Sequence, residues 1–286
     1  MNTSVFVFGT DLLHEGFDAV LGGLQDRAGV GDVALSVNYH HARDVFPHNP
    51  RYRIYRHEGD IAWFRPNEAS YKSGLVPTVS SDMADGDILA ELCEHAHRRS
   101  MGVTAWTIFL HNSRLASQNP DCATRNVYGD PYLTDLCPAN PRVRAYCREL
   151  AADISRYPVQ RLFAESLHYR PFEHGAHHER YLIDIPNEAR TLLSLCFCRH
   201  CRQSATEAGV AIDELALAVQ TALALLWGDS AAQNAAEPLL SQSAKAELAA
   251  FVKVREKVVA SLVGEVRGAL RADGPTLGFM DHGGAM

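Results

Sequence analysis

Residues 4–16 read SVFVFGTDLLHEG, and this stretch decides the fold. Its first half is apolar, β-branched and aromatic, the composition of a buried strand. A dinucleotide-binding or P-loop protein would follow that strand with a glycine-rich phosphate turn. The run FGTDLLHEG (8–16) lacks the pattern, and HEGFDAVLGGLQDRAGV (14–30) continues as helix. The same alternation recurs downstream. GDVALSVNY (31–39), GVTAWTIFL (102–110), VQRLFAES (159–166) and PTLGFMDHG (275–283) read as further strands, and 81–101 and 140–157 as helices between them. The first of these helices has a cap at Ser81 or Asp82, and the second has Pro141 in its first turn.

Strands alternating with helices imply βαβ units and a parallel sheet. The polar and aromatic segments all follow the C-terminal ends of strands, where a barrel keeps its site, so the reading is an α/β TIM (β/α)8-type barrel. About five strands are visible, so the barrel is expected to be incomplete or truncated at the C-terminus. The expected organisation is one barrel-type domain over 1–286, with a loop excursion at 41–80 and a helical insertion at about 206–272.

The chain has 286 residues, 47% hydrophobic and 21% charged, with a formal net charge of −7. An acidic chain is a poor partner for a phosphate backbone, so no nucleic acid is expected. No apolar run approaches the roughly 20 residues of a membrane helix, and the start has no basic segment of a signal peptide. Seven cysteines without such a signal point to reduced thiols and a cytoplasmic protein. The apolar run ALAVQTALALLW within the helical insertion needs a partner surface, which either the rest of the fold or a second copy in a homo-oligomer would supply.

SLCFCRHCRQSA (194–205) holds three cysteines within six positions, Cys196, Cys198 and Cys201. Cys-x-Cys-x-x-Cys offers three soft ligands in one turn, with the last spacing typical of zinc. A structural Zn2+ needs a fourth ligand. Cys137, before the helix that leads to the fourth strand, is the first candidate; His200 is the alternative, and Cys122 and Cys147 come after them. Ordinary buried cysteines are the bland competitor.

Several polar residues fall at strand ends: Asp11 and His14; Asn38, Tyr39 and His40; His111 and Asn112; Glu165, His168 and Tyr169; Asp281 and His282. Carboxylate, imidazole and amide groups beside aromatic platforms suit a hydroxyl-rich ligand, a carbohydrate or sugar-like small molecule. Asp11, Tyr39, His40, His111, Asn112, His168 and Tyr169 are the expected substrate contacts. Phe46, Tyr52, Tyr55, Trp63, Phe64 and Tyr71 are the candidate platforms. Glu165 closes a buried strand, and burial beside aromatics suits a glutamate to general acid work. An ion pair with Arg161 or Arg170 is its structural competitor. HYRPFEHGAHHER (168–180) invites a second metal reading, but its histidine and glutamate spacing lacks the metalloprotease motif.

The order LCPANPRVRAYCRELAADISRY…LFAES…CFCRHCRQ, roughly residues 130–205, resembles the bacterial β-galactosidases of glycoside hydrolase family 42 and related barrel hydrolases. The resemblance implies a barrel, a structural zinc on Cys137, Cys196, Cys198 and Cys201, and Glu165 as general acid/base. Ala164 departs from it, standing where the family has an asparagine that contacts the substrate. The family's nucleophile lies on a late strand that is not visible here. The function expected is therefore a glycoside hydrolase-like one. The alternatives are a barrel that binds a sugar without cleaving it, or a metal-dependent sugar isomerase or epimerase using Glu165 and His168.

Overall fold

The computed structural model describes residues 3–173, 180–228 and 240–280. Five parallel strands form the central sheet: Ser4–Val7, Asp32–Ser36, Gly102–Ile108, Arg161–Glu165 and Thr276–Phe279. They lie side by side in chain order and in continuous register, for example Ala34 beside Thr104 beside Arg161 beside Thr276. A doubly wound sheet reverses direction at a switch point. This sheet does not, so every right-handed crossover falls on one face.

The core shows that face. Val33, Leu35, Val103, Ala105, Leu162 and Ala164 pack with Leu89 and Leu92 of helix Ile88–Arg98, with Tyr146 and Leu150 of helix Pro141–Ile154, and with Leu262 and Val266 of helix Gln242–Ala269. The opposite face is polar at its base. The hydroxyls of Ser4 and Thr104 donate to Asp32, the latter over 2.9 Å, and Arg161 reaches Thr104 at 3.4 Å. Above that layer it is aromatic: Phe6 lies 4.6 Å from Trp106 and 6.3 Å from Phe163, ring centre to ring centre. Phe6 is 50% exposed. Among the described residues the sheet has five strands, and its closure into a barrel is not seen.

Local chemistry moves several expected boundaries. The expected helix 14–30 is broken: Gly9–Glu15 ends at Gly16, whose φ of 88° turns the chain before Phe17–Gly22 begins. The helix expected from Ser81 starts at Ile88, capped by Asp87, whose side chain accepts from the Ala90 amide at 3.0 Å; Ser81–Met83 is a 3-10 turn. The cap of the next helix is Asn140, followed by the expected proline at position 141. Within 41–80, short strands pair Arg43–Val45 with Ile54–Arg56 and Ile61–Ala62 with Thr78–Val79. Strands of two or three residues are too short to show a sequence period.

A second core lies beyond the sheet. Helices Arg199–Glu207, Ile212–Gly228 and Gln242–Ala269 pack around Phe197, Leu215, Val219, Leu223 and Phe251. Glu265 ties the last of these to helix Pro141–Ile154, 2.6 Å from both Arg144 and Arg148. No helix among the described residues is long and apolar enough to cross a membrane.

Candidate functional site

Parallel strands put all their C-terminal ends at one edge, and Glu165 stands there on the aromatic face. Trp106, from the neighbouring strand, donates its indole N–H to the Glu165 carboxylate. Tyr39 packs edge-on against Trp106 at 5.2 Å, His40 stacks on Tyr39 at 4.1 Å, and His111 stacks on His40 at 4.8 Å. Burial, then the negative charge of Glu165, raises the Tyr39 hydroxyl above its ordinary pKa. Burial lowers the His40 imidazole, with Glu165 opposing that shift. Burial, with Arg170 and His40 adding to it, pushes His111 down to about 2. Both rings are thus neutral hydrogen-bonding groups near neutral pH.

The backbone is shaped to deliver this cluster. Ser166, directly after Glu165, has a φ of 53°, a strained value for a residue with a Cβ. Its hydroxyl accepts from Arg170 at 3.1 Å, and Arg170 pairs with Asp135 at 2.8 Å. Burial pushes the Asp135 carboxyl up to about 6 despite that cation. Arg170, named above as a competitor for Glu165, therefore has Asp135 as its close carboxylate partner, and Arg161 lies in the basal layer at Thr104.

Of the expected contacts, the structure gathers Glu165, Tyr39, His40 and His111. Asp11 instead accepts from the Phe8 amide at 2.8 Å and closes a helical first turn. Asn112 caps helix Ser113–Gln118 through the Leu115 amide at 2.8 Å. Asn38 holds both the N–H and the carbonyl of Ile108. His168 is buried toward the fifth strand, with Nδ1 2.8 Å from the Tyr169 carbonyl oxygen and its ring 6.4 Å from Phe279. The Tyr169 hydroxyl is 3.2 Å from the Cys201 sulfur, away from the strand-end cluster. Asp281, His282, His174, His177, His178 and Glu179 lie outside the described residues.

The excursion contributes less surface than expected. Trp63, Phe64 and Tyr71 are buried core residues, so they are not platforms. A Cβ on Gly9 would meet the Trp63 ring at 2.2 Å, so the indole lies directly on that backbone. Phe46, Tyr52 and Tyr55 gather instead around His14 and His57. His57, unnoticed in the sequence, is buried and bonded to Asp44 at 2.8 Å, with Phe8 at 5.2 Å. Trp106 was equally hidden, being one aromatic residue in an apolar strand. Only its parity with polar Thr104, opposite Val103 and Ala105, marked it as facing away from the helices.

Beside this cluster a cleft of about 330 Å³ runs between the hairpin ending at Leu136 and the segment Tyr169–Phe172. Tyr132 and Phe172 form its aromatic walls, 6.1 Å apart edge to face, and Asp135 and Arg170 also line it. Arg170 thus touches both the cleft and the surroundings of Glu165.

Behind the cleft lie Cys137, Cys196, Cys198 and Cys201, all buried and none in a disulfide. Their four sulfurs lie within 4.8 Å of one another. The Cys137 sulfur is 3.5 Å from those of Cys198 and Cys201 and 3.8 Å from that of Cys196. A tetrahedron of sulfurs about 2.3 Å from a central zinc has edges of about 3.8 Å. Donor type, spacing and burial all fit a metal ion. His200 stays outside the group, beside Arg199. The cluster also pins the cleft: Cys196 accepts from the Arg125 amide at 3.4 Å, and Phe197 donates to the Arg125 carbonyl at 2.7 Å.

No protein-family model and no curated protein matches the sequence. Among solved structures, α-L-fucosidase isoenzyme 2 from Paenibacillus thiaminolyticus aligns with 98% of this chain and 32% of its own, at a TM-score of 0.53 and 11% identity. The β-galactosidase of the psychrophilic Marinomonas ef1 aligns with 100% of this chain and 38% of its own, at 0.49 and 12% identity. That of the haloarchaeon Halorubrum lacusprofundi aligns with 99% and 37%, at 0.48 and 14% identity. The chain shares its fold with a region of the fucosidase and spans about a third of the length of each of these three proteins. At such identity the likeness is one of fold alone.

Proposed function

We propose that the protein acts on a carbohydrate, cleaving a glycosidic bond with Glu165 as general acid/base on a barrel-type arc stapled by a structural Zn2+. The observation that carries this reading is the Glu165 carboxylate, fixed by the Trp106 indole at the C-terminal edge of a parallel sheet. In this reading the protonated form of Glu165 gives its proton to the glycosidic oxygen as the bond to the sugar carbon lengthens. A water molecule supplies the oxygen that replaces it on that carbon and the proton that returns to the carboxylate. Tyr39 and neutral His40 hydrogen-bond substrate hydroxyls, and buried Trp106 holds the Glu165 carboxylate toward them. The cleft bounded by Tyr132 and Phe172 seats a neighbouring ring. Cys137, Cys196, Cys198 and Cys201 would hold the zinc, which supplies cross-linking rather than chemistry. The family 42-like assignment rests on this cysteine set and on the position of Glu165.

One observation favours binding without cleavage. Among the described residues, three carboxylates near the site are committed: Asp11 to the Phe8 amide, Asp44 to His57, Asp135 to Arg170. Hydrolysis needs a second carboxylate, about 5 Å away for retention and about 6.5–9.5 Å for inversion. The isomerase reading would place a divalent ion on Glu165 and His168, yet one ring nitrogen of His168 already faces a backbone oxygen. A panel of aryl glycosides separates these readings. Turnover abolished by Glu165→Gln supports hydrolysis, saturable sugar binding without turnover supports the binding protein, and activity restored by added divalent ions supports the isomerase.

A further inference from the structure

Among the described residues, Arg255 is the only arginine or lysine that is fully buried, at 2% exposure. It lies on helix Gln242–Ala269, one turn after Phe251, whose ring packs on Phe197 at 5.6 Å. Its guanidinium sits over the Tyr169 ring at 4.3 Å. One nitrogen reaches the Ser194 carbonyl at 3.4 Å; among the described residues Nε and Nη1 have no hydrogen-bond partner. Buried guanidinium groups are tolerated when an anion compensates them, and Arg255 has no carboxylate partner among the described residues.

Both groups that Arg255 touches border the cysteine cluster. The Tyr169 hydroxyl is 3.2 Å from the Cys201 sulfur, and Ser194 precedes Cys196 by two residues. Four neutral thiols would leave the guanidinium uncompensated. Four thiolates around one divalent ion carry a net charge of −2, since 4 × (−1) + 2 = −2, and in a low-dielectric core that charge is felt across one aromatic ring. We propose that Arg255 is the built-in counter-cation of a doubly anionic tetrathiolate metal centre, acting across the Tyr169 ring. The inference rests on the reading of the cluster as a metal site. It gives the long helix a definite role, because that helix carries the charge that lets the centre stay ionised in an apolar core.

The proposal predicts a reversal of sign. With metal bound, Arg255 stabilises; without it, Arg255 is a buried unpaired charge. The test compares the wild-type chain with Arg255→Met, which keeps an apolar stem, and Arg255→Lys, which keeps the charge. Zinc affinity is measured by competition with a chromophoric chelator, and melting temperature is measured with and without zinc. Outer-sphere partners of metal centres typically change affinity 10–100-fold. The expected result is at least about a tenfold loss of zinc affinity in Arg255→Met and near-wild-type affinity in Arg255→Lys. Arg255→Met should melt lower than wild type with zinc, and as high or higher without it. Equal zinc affinity in all three chains, or an equal drop in melting temperature with and without zinc, would overturn the proposal. A wild-type chain that takes up no zinc would end the metal reading itself, and this inference with it.

Discussion

The indole N–H of Trp106, on the third strand, donates to the carboxylate of Glu165 at the end of the fourth. A glutamate side chain has three rotatable bonds, and this contact holds its carboxylate toward the aromatic face. Trp106→Phe keeps ring contact with Phe6 and Tyr39 and removes the donor. Turnover of a cleaved glycoside should fall roughly tenfold, the kinetic equivalent of about 1.4 kcal/mol, with the fold unchanged by circular dichroism.

His111 should make the protein sensitive to acid. Its folded-state pKa, pushed down to about 2, lies below the unfolded value near 6.5. The unfolded chain therefore binds more protons between those values. The stability associated with this group is complete above pH 6.5 and is lost as pH falls, by at most about 1.4 kcal/mol per pH unit. Urea unfolding at pH 7 and pH 5 should show a smaller loss for His111→Gln than for wild type. Equal losses would mean that other groups carry the acid response.

Cys198→Ser should release the metal and loosen the second core rather than the sheet. Native mass spectrometry should show one zinc in the wild type and none in the variant. Melting should become biphasic or shift down, because the four sulfurs link the hairpin at Cys137 to the helices that follow Cys201. A chelator should reproduce the shift in the wild type and leave the variant unchanged.

Gly9→Ala tests the packing that holds the first strand end. The new methyl would meet the buried Trp63 ring at 2.2 Å. Overpacking of this kind costs roughly 1–3 kcal/mol, and a rigid indole against backbone belongs at the upper end. Chemical denaturation should show that loss, and Trp63→Leu in the same chain should recover part of it.

The residues that could be read in the sequence were those whose signal is local. Three cysteines in one turn and a glutamate closing an apolar strand need no tertiary information. Asp11 and Asn112 hold helix termini for a physical reason: a side-chain oxygen that suits a sugar hydroxyl also suits a helix cap, and the Phe8 and Leu115 amides lie within reach. Trp63, Phe64 and Tyr71 misled because an aromatic residue in an irregular segment looks the same whether it covers the core or faces a ligand. Trp106, the Arg170–Asp135 pair and Arg255 depend on contacts between distant segments. Asp135 and Arg170 are 35 residues apart, and Arg255 and Tyr169 are 86 apart.

In the proposed mechanism Glu165 delivers a proton to a departing sugar oxygen. This step is tested most directly by comparing wild type and Glu165→Gln on two glycosides of one sugar, one with a poor leaving group and one with an activated dinitrophenyl group. A general acid matters only where the leaving group needs its proton. Glu165→Gln should lose about 100-fold or more on the poor leaving group and much less on the activated one. Equal losses on both, or full activity without the carboxyl group, would contradict this mechanism.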